Sequence, residues 1–279
     1  CVLHEMGAKR IVVARELTLD EISKIRANTP KSLELEAFAH GAVCMSYSGR
    51  CLLSMYMTGR DANRGDCAQP CRWSYSIVEQ KRPGELYDIS ETDKGSYILN
   101  ANDMCMAEHI SDMVKAGISS FKIEGRAKSF YYVAVVTNAY RQALDLYWQD
   151  PENFQLPAWI EEETRKVSHR QYSTGFYFGR PEQGQFYENG GYVREWDVVA
   201  IVDGWVDGTL HCTQRNKFLA GDEVEILAPG QKPVTMTVES ITDADGVQQP
   251  SANHAMMKFT MPSGEEFPKG SIIRKASDK

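Results

Sequence analysis

Four of the seven cysteines fall in one stretch, at Cys44, Cys51, Cys67 and Cys71, with six, fifteen and three residues between them. Thiolate sulfur ligates zinc and iron–sulfur clusters. Structural zinc sites present cysteines paired two to four residues apart, and only Cys67 and Cys71 approach that spacing. The wider gap between Cys44 and Cys51 suits a cluster better. Unliganded, buried cysteines are the plain alternative, since cysteine is among the most buried residue types. Cys105 is a fifth candidate beside an expected helix start, and Cys212 reads as core packing. Arg50, Arg60, Arg64 and Arg72 surround the cysteines, where they would offset a cluster's charge, meet RNA phosphate, or face solvent.

A second set of chemical groups sits at expected strand ends. Lys122, Glu124 and Arg126 alternate and so share a face. Barrel enzymes place their sites at the C-terminal ends of strands. Arginine grips carboxylates bidentately, which makes Arg126 the first choice for an anion and Lys122 the second. A layer of paired charges is the competing reading. Glu36 and His40 flank the end of another strand, and His40 is suited to donate or relay a proton or to sit satisfied in a core. Arg15 ends a third strand. Tyr131 and Tyr132 open a long helix, where they either stack on a base drawn from its stack or pack. There is no H-E-x-x-H and no G-x-S-x-G in the chain.

These groups need a scaffold. Ile11–Ala14 reads as a buried strand, and Thr18 with Glu21 forms a capping box opening a helix over Leu19–Ala27. Leu33–Phe38 alternates as a second strand, completing a βαβ unit. Trp73–Val78 suits one strand of a hairpin. Tyr97–Asn100 is expected as a third strand. Asn102 should cap a helix over Asp103–Ala116, with Gly117 stopping it. Ser119–Glu124 is expected as a fourth strand, and Ser129–Trp148 as a long helix. Two prolines mark Asp150–Pro157 as a boundary, a short helix covers Trp159–Ser168, and Tyr172–Gly191 reads as a connector. From Val198 six short runs separated by Gly, Pro and Asp suggest a small β barrel. The fold class is therefore α/β, read as the C-terminal half of a (β/α)8 TIM-like barrel in residues 1–150, with a cysteine-rich insertion at 40–75. A linker with a short helix at 151–195 and a small all-β barrel at 196–279 follow. An open doubly wound sheet competes, but no G-x-G-x-x-G follows the first strand.

The 279 residues carry a net charge of -7, which argues against loose electrostatic binding to nucleic acid, though not against a local basic groove. No apolar run is long enough to span a membrane, and no secretion signal is visible, so no membrane partner and a cytoplasmic location are expected. The chain opens at Cys1 in what reads as mid-domain, so a missing N-terminal part is expected. The sequence assigns no oligomeric state.

The stretch Glu36–Ser54, EAFAHGAVCMSYSGRCLLS, resembles the signature of peptidase family U32, the collagenase-like proteins. RGDCAQPCR at Arg64–Arg72 and FKIEGRAKS at Phe121–Ser129 resemble two further family blocks. The likeness covers most of residues 9 to 275 and is strongest to the tRNA 5-hydroxyuridine proteins. It implies a (β/α) barrel and a [4Fe-4S] cluster on Cys44, Cys51, Cys67 and Cys71, with Cys105 a substitute in some relatives and zinc the alternative metal. It also implies tRNA as partner and prephenate, a small dicarboxylate, as co-substrate in the 5-hydroxylation of wobble uridine. His40, Glu36, Lys122 and Glu124 are then catalytic candidates, and Arg126, Arg15 and Tyr131 substrate-binding ones. The C-terminal barrel would help to position RNA. Family relatives acting on ribosomal RNA or in quinone synthesis, and the collagenase-like peptidases, are the alternatives. Cysteines that ligate a cluster are unavailable as nucleophiles.

Overall fold

Thr18 and Glu21 set the first long helix as expected. The computed structural model describes residues 2–44, 46–73, 75–78, 80–81, 86–88, 102–126, 128–179 and 193–277. In it the Glu21 amide donates to the Thr18 hydroxyl at 3.2 Å, and the Thr18 amide donates to the Glu21 carboxylate at 2.8 Å. This reciprocal pair satisfies amides that a helix start leaves without partners.

Two compact units emerge. The first runs to Arg126 and regains His169–Val193. Its elements are α1 (Val2–Glu5), β1 (Arg10–Val12), α2 (Leu19–Ala27), β2 (Glu34–Ala42), α3 (Leu53–Thr58), β3 (Ser76–Val78), β4 (Leu86–Asp88), β5 (Asp103–Cys105), α4 (Ile110–Lys115), β6 (Ser120–Ile123) and β7 (Tyr172–Ser173). β2 pairs in parallel with both β1 and β6, Glu36 standing beside Val12 on one side and Ser120 on the other. Leu33, Leu35, Ala37 and Ala39 are buried, as are Ile22 of α2 and Ile110 and Met113 of α4. Full burial of each large aliphatic side chain contributes about 1.5–3 kcal/mol.

The helix expected from Asp103 begins later. Residues Asp103–Cys105 form a strand, antiparallel to β2 and parallel to β7, so the sheet is mixed. Asn102 is buried ahead of this strand and caps no helix. The Asp103 amide donates to the Gln171 carbonyl at 3.0 Å, and the Met106 amide to the Ala39 carbonyl at 2.9 Å. Those long-range partners override the local cap pattern. Gly117 follows α4 at φ +86°, as a helix stop requires. The strand expected near Val78 pairs antiparallel with β4, and Tyr97–Asn100 lies outside the described residues.

The second unit holds α5 (Phe130–Gln149), α6 (Ala158–Arg165), β8 (Trp196–Val206), β9 (Thr209–Gln214), β10 (Phe218–Leu219), β11 (Glu223–Leu227), β12 (Val234–Thr237), β13 (Ile241–Asp243), β14 (Gln248–Gln249), β15 (Ser251–Ala252), β16 (Lys258–Pro262) and β17 (Ile272–Ala276). Eight strands form one antiparallel sheet in the order β12-β11-β17-β8-β9-β16-β13-β14, and no ladder joins its ends among the described residues. The expected barrel is thus a β-rich domain with an open ladder. Residues 234–243 divide into β12 and β13. Val238 lies buried between them, trading backbone hydrogen bonds with Gly221 and Asp222. Cys212 is core, as expected, and burial pushes its thiol up to about 12.

The expected boundary at residue 150 leaves α5 with the first part, whereas the compact units place it in the second. Arg274 supplies a reason. It is fully buried and bridges Glu163 and Glu225 at 2.5 Å each, and it donates to the Tyr131 hydroxyl at 3.2 Å. Lys166 adds a contact to Glu225 at 2.7 Å. One cation network therefore ties α5, α6, β11 and β17.

Burial works against the charge on Glu225, but the Lys166 hydrogen bond and Arg274 outweigh it and hold the carboxyl below its ordinary value. A lowered carboxylate stabilises the fold above its unfolded pKa, and that stabilisation disappears as pH falls through the folded value. Glu225→Gln should cost roughly 3–5 kcal/mol near pH 7, since it leaves buried cations short of a carboxylate. The difference should shrink once pH drops below the ordinary carboxylate range. Denaturant melts of both proteins at neutral and strongly acidic pH check this, and an equal gap at both would refute it.

Candidate functional site

Three parallel strands, β1, β2 and β6, deliver their C-terminal ends to one edge of the first unit's sheet. A cavity of about 520 Å³ opens there. Val12, Ala14 and Arg15 line it from the end of β1, Phe38 and Ala42 from β2, and Glu124 and Arg126 from the turn after β6. Cys44, Cys51, Cys67 and Cys71 line the same cavity. The C-terminal edge of parallel strands is the usual place for a site, because the loops that leave it are free to vary.

A close backbone contact fixes this edge. Gly41 sits at φ +111°, and a Cβ there would lie 2.3 Å from the Glu124 carbonyl oxygen. The Glu124 amide donates to the His40 carbonyl at 2.8 Å. Only glycine combines that φ with that approach.

The insertion that carries the cysteines is held by short polar contacts. Asn63 donates to the Cys51 carbonyl at 2.9 Å and accepts from the Cys51 amide at 3.1 Å. The Ala68 amide donates to the buried Ser54 hydroxyl at 3.0 Å, and the Ser48 amide to Glu16 at 2.7 Å. Gln69 takes a left-handed turn at φ 58°, and its amide points at the Cys67 sulfur, 3.2 Å away. The Arg126 guanidinium donates to the Cys67 carbonyl. The loop is thus tied back to the strand end it overhangs.

Burial raises the Cys71 thiol, Arg72 opposes that, and the Cys44, Cys67 and Cys51 sulfurs raise it further. Burial also acts to raise Cys51, but the Ser46 hydroxyl and the Ser54 and Leu53 amides outweigh it and lower this thiol. All four cysteines are free of disulfides and half-buried. Among the described residues, no group of three or more His, Cys, Asp or Glu is arranged to hold a metal ion. The four cysteines line one shared space.

The other expected residues divide. Arg15, Glu124 and Arg126 line the cavity with the cysteines, but Glu36, Lys122 and His40 do not. Glu36 accepts from Ser120 at 2.9 Å and meets Arg10 at 3.2 Å and Lys122 at 3.5 Å. Burial alone would raise its pKa, yet Ser120, Lys122 and Arg10 together lower it. Glu36 and Lys122 therefore form the paired-charge layer. His40 is 1% exposed, with Nε2 3.3 Å from the Tyr172 hydroxyl. Cys105 pairs with His40 in the β2–β5 register and is absent from the cavity lining. Tyr131 is buried in the second unit, its hydroxyl bound to the Lys166 carbonyl at 2.8 Å, so its face is not offered to a base. Two contributors escaped the sequence reading. Phe38 carries Arg15 at 3.9 Å over its ring, and Gly41 sits inside a strand, which is itself a signal for close backbone approach.

Residues 1–186 match peptidase family U32, and residues 194–274 match the peptidase family U32 C-terminal domain. The chain is similar to tRNA hydroxylation protein P1 of Bacillus subtilis, 39% identical over 92% of this chain and 61% of that protein. It is also similar to tRNA hydroxylation protein P of Escherichia coli, 34% identical over 89% of this chain and 63% of that protein. An uncharacterized protease of Methanocaldococcus jannaschii is 45% identical over 61% of this chain and 42% of its own length. The chain thus spans about three fifths of the length of the first two relatives.

Gly41→Ala should destabilise the protein by roughly 1–3 kcal/mol, from the strained φ and the displaced Glu124 backbone. Thermal melts measure it, and an unchanged midpoint would show that the strand edge tolerates a side chain.

Proposed function

The chain belongs to peptidase family U32, and we propose that it modifies RNA, hydroxylating carbon 5 of the wobble uridine of tRNA with prephenate as co-substrate and a [4Fe-4S] cluster as cofactor. The observation that carries this reading is one cavity lined by four free cysteines, two arginines at strand ends and a glutamate. The names of the Bacillus and Escherichia relatives support the RNA assignment. In this reading β1, β2 and β6 are neighbouring strands of a (β/α)8 barrel, and the reaction takes place in the cytoplasm.

Cys44, Cys51, Cys67 and Cys71 would hold the cluster, which when bound supplies electron transfer or Lewis-acid activation. Zinc is the alternative occupant. The chain's own residues bind and orient the organic partners. The Arg15 guanidinium sits over the Phe38 ring, 3.9 Å from its centroid, and its edge would meet an anion. Its Nε is buried with no hydrogen-bond partner among the described residues, and a buried donor of that kind calls for an acceptor. A dicarboxylate bound by Arg15 and Arg126 would satisfy it. Glu124 is the carboxylate of the cavity lining, suited to move a proton to or from the bound substrate. His40 stands behind it, its carbonyl holding the Glu124 amide.

Proteolysis is the second reading, favoured by the His40–Cys105 register, which puts a thiol and an imidazole on one face. His40 is too buried to meet a peptide carbonyl as it stands.

Anaerobically purified intact protein should carry about four irons with matching sulfide. Cys44→Ser, Cys51→Ser and Cys67→Ser should each lose them, and the comparison of Cys71→Ser with Cys105→Ser names the fourth ligand. One zinc per chain would reject the cluster. Cells lacking the gene and any redundant route should lose 5-hydroxyuridine from tRNA, and a normal nucleoside profile would overturn the reading. Arg15→Ala and Arg126→Ala should each weaken prephenate use about 10- to 150-fold, the effect of one charged hydrogen bond. Peptide cleavage by cluster-free protein would favour the protease instead.

A further inference from the structure

The insertion that carries the cysteines has an unusual outer surface. Helix α3 buries only Ser54, while Tyr56 is 90% exposed and Met55 and Met57 also face outward. Tyr47, 68% exposed, lies at the cavity itself, and Trp73, 48% exposed, follows the turn that packs on α3. A surface helix ordinarily turns its apolar side inward. Outward aromatic and thioether side chains gathered on one insertion mark a candidate binding face.

Charge narrows the partner. Residues 44–73 carry four arginines against two aspartates, in a chain of net charge -7. Arg50, Arg60 and Arg64 are exposed on the same insertion, Arg60 in a surface pair with Asp66 at 2.7 Å and Arg64 with Asp61 at 3.4 Å, contacts that a phosphate can replace. Residues 194–279, by contrast, carry thirteen Asp or Glu against nine Lys or Arg. Exposed rings interleaved with arginines are the chemistry of single-stranded nucleic-acid binding, where bases stack on aromatic faces and guanidiniums meet phosphates.

We infer that this insertion is the surface that receives the RNA loop, Tyr47, Tyr56 and Trp73 stacking on unpaired bases and Arg50, Arg60 and Arg64 meeting phosphates. This rests on the RNA-modifying reading and deepens it. Tyr47 lines the cavity, so a base stacked there has a short route to the arginines and thiols. The acidic C-terminal domain is then not the main RNA contact, contrary to the expectation from its β-rich character.

The test uses intact protein and a fluorescent anticodon stem-loop, with the same sequence closed into a full duplex as comparison. Binding is followed by anisotropy across a salt series, and iron content is measured on each preparation. Tyr47→Ala, Tyr56→Ala and Trp73→Ala should each weaken loop binding roughly 5- to 150-fold, with iron unchanged. Tyr56→Trp should keep it. Arg50→Ala and Arg64→Ala should each lower the salt slope by about one. Arg215→Glu, in the second unit, should leave loop binding unaltered. Native-like loop binding by the triple alanine variant overturns the inference. So does a triple variant that keeps RNA binding but changes oligomeric state, which would make the face a protein contact. Loss of 5-hydroxyuridine in the deletion strain, with loop binding intact in the triple variant, removes this surface alone. Normal tRNA in that strain removes the functional reading as well.

Discussion

Two backbones touch at Gly41, and the candidate site depends on that contact. β2 must end beside the turn that follows β6 for Glu124 and Arg126 to reach the space below Cys44. The contact leaves no room for a side chain at Gly41. A register shift between Phe38 and His40 accompanies it, and the Tyr177 hydroxyl holds the Phe38 carbonyl at 2.6 Å. The strand is thus pinned on both sides of its irregularity. Phe38, in turn, is the platform on which Arg15 lies.

The insertion itself has little core. Its geometry comes from single hydrogen bonds: Asn63 on Cys51, Ser54 on Ala68, Arg126 on Cys67. Each contributes only about 0.5–1.5 kcal/mol net, so the loop relies on the rigid strand edge beneath it. This division lets a stable sheet carry a loop whose outer residues are chosen for binding rather than packing.

Local chemistry was legible in the sequence where its partners were local. The Thr18–Glu21 box gave α2 with the expected bounds because both groups lie within one turn. The cysteines could be grouped by spacing alone, and the structure places all four on one cavity. Long-range pairing was not legible. Asn102 and Asp103 look like a cap, but Asp103 meets the Arg170 amide at 3.1 Å, and no local pattern announces that. Strand alternation put Glu36, Lys122 and Glu124 on usable faces, yet could not say that Glu36 and Lys122 neutralise each other. For Tyr131 the sequence left stacking and packing both open for the same reason, since its partner Arg274 lies 143 residues away.

Electrostatics bears on what the four thiols are for. Brought to one half-buried cavity, they raise one another's cost of ionising, as Cys71 shows, with Arg72 as the opposing charge. A purely structural set of cysteines would be more comfortable apart, each buried as a neutral thiol in apolar surroundings, as Cys212 is. Here the Cys51 sulfur is instead surrounded by donors that favour its ionised form. Neighbouring thiols, one favoured as thiolate and another held back by like charge, would be eased by further positive charge at the sulfurs. In the proposed reading a multivalent metal centre would supply it, releasing protons as the sulfurs bind. The arginines at the strand ends do not fill that need, because Arg15 is stacked on Phe38 and Arg126 is bound to the Cys67 carbonyl. In the proposed reading, thiols and arginines would serve different guests in one cavity, a metal centre at the cysteines and an organic anion at the arginines.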